Sequence, residues 1–382
     1  MRKRIFKPPL ILLCSIGFSS WAFHASPEVN RDYEKNMRSN YFLTFAFAVV
    51  LAACAAPRSS DAPPKLAVES YTIPSQTPGI QLYIRNKHPD GLTRFSPSRT
   101  LLYVHGTTQA GETTFDLPLE QSSWMDTIAQ HGYDVYLIDL RGYGASSRPP
   151  EMNYPPSENR PIVTADVALK DVEAAVDHIL ARRGLPRLDL MGWSWGATLT
   201  GAYTATHNGK VNRLVLYAPQ WTREATAAGR QAALGAYQAW TPAQARDRLQ
   251  AGSPEDRRGE LFPPASFELW SAAALSTDPE GAQQHPPVVR TPNGAFQDTV
   301  DYWMAGKPLW DPSAVTVPTL VVRGEWDAVT RVGETQAVFD RLNNAPSRRM
   351  IEIGGGSHMI FMEKNRKELF REVQSFLDES NP

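Results

Sequence analysis

The chain has 382 residues, of which 42% are hydrophobic and 21% charged, and this composition is typical of a globular protein with one large domain or two small ones. A formal net charge of −1 and the lack of a basic block disfavour binding to nucleic acid. The two cysteines, Cys14 and Cys54, lie near the N-terminus, and no two of the eight histidines have the spacing of a helical zinc site. We therefore expect no metal site and no cofactor.

Residues 1–53 are predicted to be a leader with two apolar stretches, 8–23 and 41–53. Both stretches are shorter than the roughly 20 residues that a membrane-spanning helix needs. The second stretch ends in Leu-Ala-Ala-Cys at Cys54, which resembles the lipobox of bacterial lipoprotein signal peptides. It follows a second methionine, Met37, so we expect synthesis to start there and not at Met1.

This leader predicts a protein of the bacterial cell envelope that contacts the membrane only through a lipid on Cys54. Residues 54–64 are rich in Ala, Pro and Ser, which is typical of a flexible tether. A soluble secreted protein, for which Cys54 ends an ordinary signal peptide, is the alternative.

After the tether, the pattern predicts two half-buried antiparallel strands, 66–73 and 80–85, in which apolar and polar residues alternate. Five short apolar runs typical of buried parallel strands follow at 100–104, 135–139, 188–191, 214–216 and 319–322. Amphipathic helices separate them, most clearly at 164–183. The alternation predicts an α/β fold whose core comprises residues 65–219 and 307–382.

Residues 220–306 interrupt this alternation, because they contain short helical stretches between Pro-rich breaks and no clear strand. Four tryptophans lie in this segment: Trp221, Trp240, Trp270 and Trp303. We interpret the segment as a helical cap over a ligand pocket, since pockets of α/β sheets open at the strand ends where such insertions occur. The alternative is a surface elaboration whose tryptophans form a small core of their own.

The strand at 188–191 leads directly into Gly-Trp-Ser-Trp-Gly, centred on Ser194, and then into a helix at 197–206. This strand–turn–helix context is that of a nucleophile elbow, in which the serine adopts a strained backbone conformation between small neighbours. The context therefore predicts that Ser194 is a nucleophile.

A nucleophilic serine needs a base and an acid that orients the base, in the chain order Ser, Asp or Glu, then His. Asp327 lies just beyond the carboxyl end of the strand at 319–322. A further short strand, 351–353, leads through three glycines to His358. We predict Asp327 as the acid, with Glu325 as its rival, and His358 as the base.

Two backbone N–H groups are needed to stabilise the oxyanion of such a reaction. One is predicted at Trp195, which follows the nucleophile, and the other in the loop after the third strand. There we favour Thr107, with Thr108 as the rival. His105, in the same loop, is expected to be structural.

These motifs resemble the α/β-hydrolase superfamily from about residue 65 to residue 377. The His-Gly turn at His105 belongs to the resemblance, and residues 139–146 are similar to the D-x-R-G-x-G-x-S loop common after the fourth strand of these enzymes. The resemblance implies an eight-stranded, mostly parallel sheet flanked by helices, with a helical cap after the sixth strand.

The leading functional hypothesis is a serine hydrolase that cleaves a small carboxylic ester through an acyl-enzyme intermediate. The aromatic cap and Trp195 suggest an apolar or aromatic substrate. Amide hydrolysis, acyl transfer and perhydrolysis use the same triad and remain alternatives. A non-catalytic lipoprotein that only binds at the cell surface is disfavoured, because binding does not require a complete triad.

Overall fold

The computed structural model describes residues 63–223 and 234–380. The predicted leader, the start at Met37, lipidation of Cys54 and nearly all of the tether lie outside these residues. In the described part of the chain, no helix is both long and apolar enough to cross a membrane.

Strands and helices alternate along most of the described chain. The strands are β1 (Leu66–Pro74), β2 (Gln81–Pro89), β3 (Thr100–Val104), β4 (Asp134–Ile138), β5 (Leu188–Trp193), β6 (Val211–Tyr217), β7 (Tyr237–Trp240), β8 (Val289–Pro292), β9 (Thr319–Gly324) and β10 (Arg348–Ile353). The helices are α1 (Gly111–Phe115), α2 (Trp124–Gln130), α3 (Ala165–Arg183), α4 (Trp195–Thr206), α5 (Pro242–Leu249), α6 (Glu255–Leu261), α7 (Pro264–Ser276), α8 (Pro279–Ala282), α9 (Gly294–Asp298), α10 (Val332–Arg341) and α11 (Arg366–Asp378).

Eight strands form one sheet in the order β1-β2-β4-β3-β5-β6-β9-β10. The β1–β2 and β2–β4 pairs are antiparallel, and all the following pairs are parallel. The predicted α/β fold with an eight-stranded, mostly parallel sheet is therefore confirmed. The carboxyl ends of β5, β9 and β10 lie at the same edge of the sheet, and this common edge holds the residues that follow them.

Helices cover both faces of the sheet, which explains why its parallel strands are continuous apolar runs. On one face, α3 packs its Val172, Val176 and Ile179 side chains into a cluster with the apolar residues of α4. On the other face, α2 and α11 pack against the sheet through Trp124 and Phe370, whose rings stack with centroids 4.9 Å apart.

The segment between β6 and β9 contains helices α5 to α9 and, directly after α9, a short π-helix (Thr299–Trp303). It also contains β7 and β8, which pair antiparallel to each other. Our expectation of no strand in this cap was wrong. Each of these strands has only four residues, and they are far apart in sequence, so neither produces a recognisable alternation.

The cap tryptophans pack mainly against other protein side chains. Trp270 contacts the rings of Phe262 and Phe267, and Trp240 stacks on Phe296. Trp270 is also 1% exposed. The number of tryptophans in this segment therefore reflects internal packing and carries little information about the substrate.

Candidate active site

Ser194 lies at a sharp turn between β5 and α4, with φ 57° and ψ −122°. This conformation costs free energy for a non-glycine residue and persists where the surroundings impose it. Its N–H donates to the carbonyl of Tyr217 at the end of β6 (2.8 Å). A Cβ atom on Gly192 would lie 2.2 Å from the carbonyl oxygen of Gly196, and a Cβ atom on Gly196 would lie 2.3 Å from the carbonyl oxygen of His105, so both flanking positions require glycine.

The structure brings Ser194, His358 and Asp327 into one chain of hydrogen bonds. The Nε2 atom of His358 lies 2.9 Å from Ser194 Oγ, and its Nδ1 atom lies 2.7 Å from Asp327 Oδ2. Because a carboxylate only accepts, Nδ1 carries the proton and Nε2 is left to accept the serine hydroxyl proton. This is the arrangement that a base-activated nucleophile needs.

Asp327 is fully enclosed by its own loop. Its Oδ1 accepts the N–H groups of Val329 and Thr330, each at 2.9 Å, and its Oδ2 accepts the Thr330 hydroxyl at 2.7 Å. Burial raises the pKa of Asp327, but the His358 charge and these hydrogen bonds outweigh burial and hold the pKa below its usual value. Asp327 is therefore ionised at neutral pH and accepts a hydrogen bond from His358 Nδ1.

The rival acid, Glu325, has a different position. Its Oε2 accepts the N–H of Gly355 at 2.7 Å, so it braces the glycine loop before His358 from the exposed side. Among the described residues, no hydrogen bond joins Glu325 to the imidazole of His358.

Two aromatic side chains that sequence reasoning did not single out fix the main chain at His358. The indole N–H of Trp193 and the hydroxyl of Tyr217 both donate to the His358 carbonyl, at 3.0 and 3.1 Å. The Trp193 ring also lies 5.1 Å from the imidazole, centroid to centroid. The tryptophan before the elbow serine was visible in the sequence, but only the fold shows that it meets the base.

The two residues predicted to supply the oxyanion donors, Thr107 and Trp195, lie in segments that adjoin the nucleophile. A Cβ atom on Gly106 would approach the Ser194 Cβ atom to 2.9 Å, so the loop that carries Thr107 touches the nucleophile. The N–H groups of Thr107 and Trp195 donate to no acceptor among the described residues. Both amides are thus available to an added oxyanion, as is required of such donors.

His105 has the bonding pattern of a structural residue. Its Nε2 accepts the N–H of Leu140 at 3.1 Å, and its Nδ1 lies 2.7 Å from the Gly106 carbonyl. Burial lowers the pKa of His105 to about 4, so the ring stays neutral and links the loops after β3 and β4.

Comparison with known proteins shows the family of the chain. The family model described as the alpha/beta hydrolase fold matches residues 99–365. The chain belongs to the alpha/beta hydrolase family. The match includes the elbow at Ser194, Asp327, His358 and the cap between β6 and β9.

Solved structures of this family resemble the chain in fold at low sequence identity. The 2-hydroxy-6-oxo-6-phenylhexa-2,4-dienoate hydrolase from Rhodococcus sp. strain RHA1 is 12% identical, with a TM-score of 0.55 over 82% of this chain and 100% of that chain. The enol-lactonase from Burkholderia xenovorans LB400 is 15% identical, with a TM-score of 0.50 over 81% and 100%. The thioesterase domain from the curacin biosynthetic pathway is 19% identical, with a TM-score of 0.51 over 81% and 99%.

Among curated proteins, the poly(3-hydroxyalkanoate) polymerase subunit PhaC of Haloarcula marismortui is 29% identical over 99 residues. The match covers 26% of this chain and 18% of that protein. This alpha/beta hydrolase therefore spans less than a fifth of the length of that relative.

The Trp195 side chain of this family member, which we took as a sign of an apolar or aromatic substrate, points into the protein core. Its indole is fully buried in the cluster formed with α3, and its Nε1 donates to Asp298 Oδ2 of the cap at 2.9 Å. Asp298 also accepts the N–H of Ala165 at the start of α3, at 3.0 Å. The indole thus links α4 to the cap, while the backbone N–H of Trp195 lies at the elbow.

We predict that Asp298 makes this joint sensitive to pH. Burial, opposed by the two donors, raises its pKa to about 7. Folding therefore favours the protonated form, and the stability it contributes is full below about pH 4 and is lost as the pH rises to about 7. Relative to Asp298→Asn, the wild-type free energy of unfolding should fall by ~3 kcal/mol between about pH 5 and about pH 8.

Urea unfolding at several pH values measures this difference. Asp256→Asn, an exposed change on α6 of the cap, is the matched control and should keep the wild-type pH dependence, because the carboxylates that act on Asp298 are Asp166 and Asp301. Equal pH slopes for wild type and Asp298→Asn would contradict the prediction.

The described side chains include no candidate metal site. Across 63–223 and 234–380, no group of three or more His, Cys, Asp or Glu side chains is arranged to hold a metal ion.

Proposed function

We propose that this chain is a serine hydrolase that cleaves carboxylic esters through an acyl-enzyme intermediate. The observation that carries the proposal is the continuous hydrogen-bond chain from Asp327 through His358 to Ser194, at 2.7 and 2.9 Å, with the serine on a strained elbow. A module that only binds its ligand has no use for this arrangement, since strain and buried polar groups cost stability without adding affinity.

In the first half of the reaction, Ser194 Oγ attacks the ester carbonyl while its proton moves to His358 Nε2. The N–H groups of Trp195 and Thr107 hold the oxyanion that forms on the carbonyl oxygen. When the carbon–oxygen bond to the alcohol breaks, the imidazolium gives its proton to the leaving alkoxide oxygen. In the second half, His358 takes a proton from water, the hydroxide attacks the acyl carbon, and the acid leaves as the proton returns to Ser194 Oγ.

The electrostatics of the site support these steps. Asp327 keeps the proton of His358 on Nδ1 and stabilises the imidazolium that exists between the two transfers. Ser194 is 1% exposed and His358 is fully buried, so bulk water does not screen the pair. Low screening strengthens the attraction between the imidazolium and the Asp327 carboxylate.

The decisive test is a panel of 4-nitrophenyl esters of increasing acyl length, run beside the corresponding 4-nitroanilides. We expect ester turnover with a preferred acyl length and little anilide turnover. Preference for anilides would identify an amidase, and turnover that appears only with an added alcohol or hydrogen peroxide would identify acyl transfer or perhydrolysis. A folded wild-type protein that cleaves no ester would refute the proposal.

We also propose that the enzyme is anchored in the bacterial cell envelope by lipid on Cys54. The support is the Leu-Ala-Ala-Cys sequence that ends the apolar stretch after Met37. Mass spectrometry of the native N-terminus should find an acylated Cys54 as the first residue. Two or three acyl chains on this residue would give stable membrane retention. An unmodified N-terminus upstream of Cys54, or activity entirely in the soluble fraction, would exclude the anchor.

A further inference from the structure

A cavity of about 340 Å³ lies between the cap and the loop that follows Asp327. Arg248 of α5 and Phe296 of α9 line it from the cap, and Ala328 and Val329 line it from the loop. Most of this lining is apolar, and Arg248 introduces a positive charge into it. The cavity therefore offers an apolar wall and one fixed cation beside the proposed catalytic acid.

Arg248, which is half-buried, lacks the hydrogen-bonded partner that such a cation normally has. Its Nη1 atom is buried without a hydrogen-bond partner, and Arg248 takes part in no ion pair among the described residues. Its guanidinium carbon lies 5.5 Å from the ring centroid of Phe296. Burial lowers the pKa of Arg248 to about 10, so the group stays charged at neutral pH. The Asp327 carboxylate opposes this shift without forming an ion pair with Arg248, so the guanidinium remains free to pair directly with a bound anion.

The second arginine of the cavity is already neutralised. Arg223 Nε donates to Glu334 at 2.9 Å, and its Nη2 donates to the Val329 carbonyl at 2.8 Å. The net unpaired charge facing the cavity is therefore that of Arg248, which suits a singly charged carboxylate better than a doubly charged phosphate. A guanidinium binds a carboxylate through two parallel N–H bonds.

Main-chain bonds fix Arg248 with respect to the triad. The carbonyl of Leu249, the next residue, accepts the backbone N–H of His358 at 3.2 Å. Three residues beyond Arg248, the carbonyl of Ala251 accepts the N–H of Ala328 at 3.3 Å. The end of α5 is thus bonded to the loop of the base and to the loop of the acid, so the backbone that carries Arg248 keeps its position relative to both loops.

A second unpartnered group lies within electrostatic reach of Arg248. The hydroxyl of Tyr143, in the loop after β4, is buried and has no hydrogen-bond partner among the described residues. Its charge interaction with Arg248 contributes to the pKa of both side chains. Two unsatisfied polar groups, one from the core and one from the cap, therefore lie within range of each other's charge, as expected where a polar ligand group binds.

We infer that Arg248 is the anion-binding residue of the substrate site, and that the substrate is an ester with an apolar body and a free carboxylate. This inference rests on the proposed ester hydrolysis and narrows its substrate class. Because α5 is bonded to both catalytic loops, an anchored carboxylate would also hold the scissile bond at a set distance from Ser194.

The test compares matched esters that differ only in charge. In the first pair, 4-nitrophenyl hemiadipate carries the carboxylate on the acyl chain, and 4-nitrophenyl methyl adipate is its neutral counterpart. In the second pair, the hexanoate esters of 5-hydroxy-2-nitrobenzoic acid and of its methyl ester place the same difference on the leaving group. For one of the pairs we expect kcat/KM to be at least about tenfold higher for the anion.

Arg248→Gln should lower that anion-to-neutral ratio by about tenfold or more, and Arg248→Lys, which keeps the charge, should retain part of it. The matched control is Arg246→Gln on the same helix, because Arg246 pairs with Asp247 at the surface. This control should keep the wild-type ratio. If Arg248→Gln does not fold, Arg248→Lys takes its place, and its anion-to-neutral ratio should lie below that of the wild type.

The outcomes separate this inference from the proposed function. If the wild type cleaves neutral esters but prefers neither anion, or if Arg248→Gln and Arg246→Gln have the same ratio, the anion site is wrong and ester hydrolysis stands. If the wild type cleaves none of the four esters, the proposed hydrolysis is wrong. Calorimetric titration of Ser194→Ala with monomethyl adipate then decides the anion site by itself: binding that Arg248→Gln abolishes supports the site, and no binding overturns it.

Discussion

Replacing Ser194 with Ala should lower kcat for the best ester by on the order of 10⁶. The change removes the atom that attacks the carbonyl, so that only the oxyanion donors and substrate binding remain. The fold should persist, because Ser194 contributes one hydroxyl to the site and the elbow depends on its glycine neighbours. Steady-state kinetics with an active-site titrant should give the loss, and circular dichroism should show an unchanged spectrum.

A suitable control is Ser357→Ala, since Ser357 is also buried and adjoins His358 but donates to Glu363. That variant should keep far more activity than Ser194→Ala. If Ser194→Ala retains more than a few per cent of the wild-type rate, or if the two variants are equally impaired, Ser194 is not the nucleophile.

Asp327→Asn should lower kcat by about 10⁴, as expected where the amide stabilises the wrong tautomer of the catalytic histidine. The substituted side chain would present an NH₂ group or a neutral oxygen to His358 Nδ1, and the imidazolium would lose its negative partner. Asp327 also accepts three hydrogen bonds from Val329 and Thr330, so thermal unfolding of the variant should be measured beside its kinetics.

Glu325→Gln is the matched control for Asp327→Asn, because Glu325 lies two residues earlier in the same loop and was the rival acid. Its Oε2 accepts from Gly355 and not from the imidazole, and Gln can still accept there. A loss of several-fold at most is expected. A larger loss for Glu325→Gln than for Asp327→Asn would reverse the assignment of the acid.

The fold could be predicted from the sequence because its signals are local and consistent. Buried parallel strands are apolar runs, and the elbow at Ser194 joins a strand to a helix within a few residues. Chain order then limited the search for the acid and the base to two loops. The structure places Asp327 and His358 at hydrogen-bonding distance, which chain order alone does not guarantee.

The features that sequence reasoning missed depend on contacts between distant segments. The pairing of β7 with β8 joins four-residue strands that show no alternation. The direction of the Trp195 indole is set by Asp298 in the cap, and the isolation of Arg248 becomes visible only when every neighbour is known. An unpaired arginine has the same sequence signature as a solvated one, so no pattern separates the two.

The hydrogen bonds from His358 and Ala328 to the carbonyls of Leu249 and Ala251 bear on how such a cap is exchanged in protein engineering. A cap grafted from a relative must present two carbonyls at these places, whatever its side chains are. A graft that fills the cavity correctly but shifts the end of α5 by one residue would misplace His358. Substrate entry faces the same constraint, because an opening at the end of α5 would break both of these hydrogen bonds to the loops of the base and the acid.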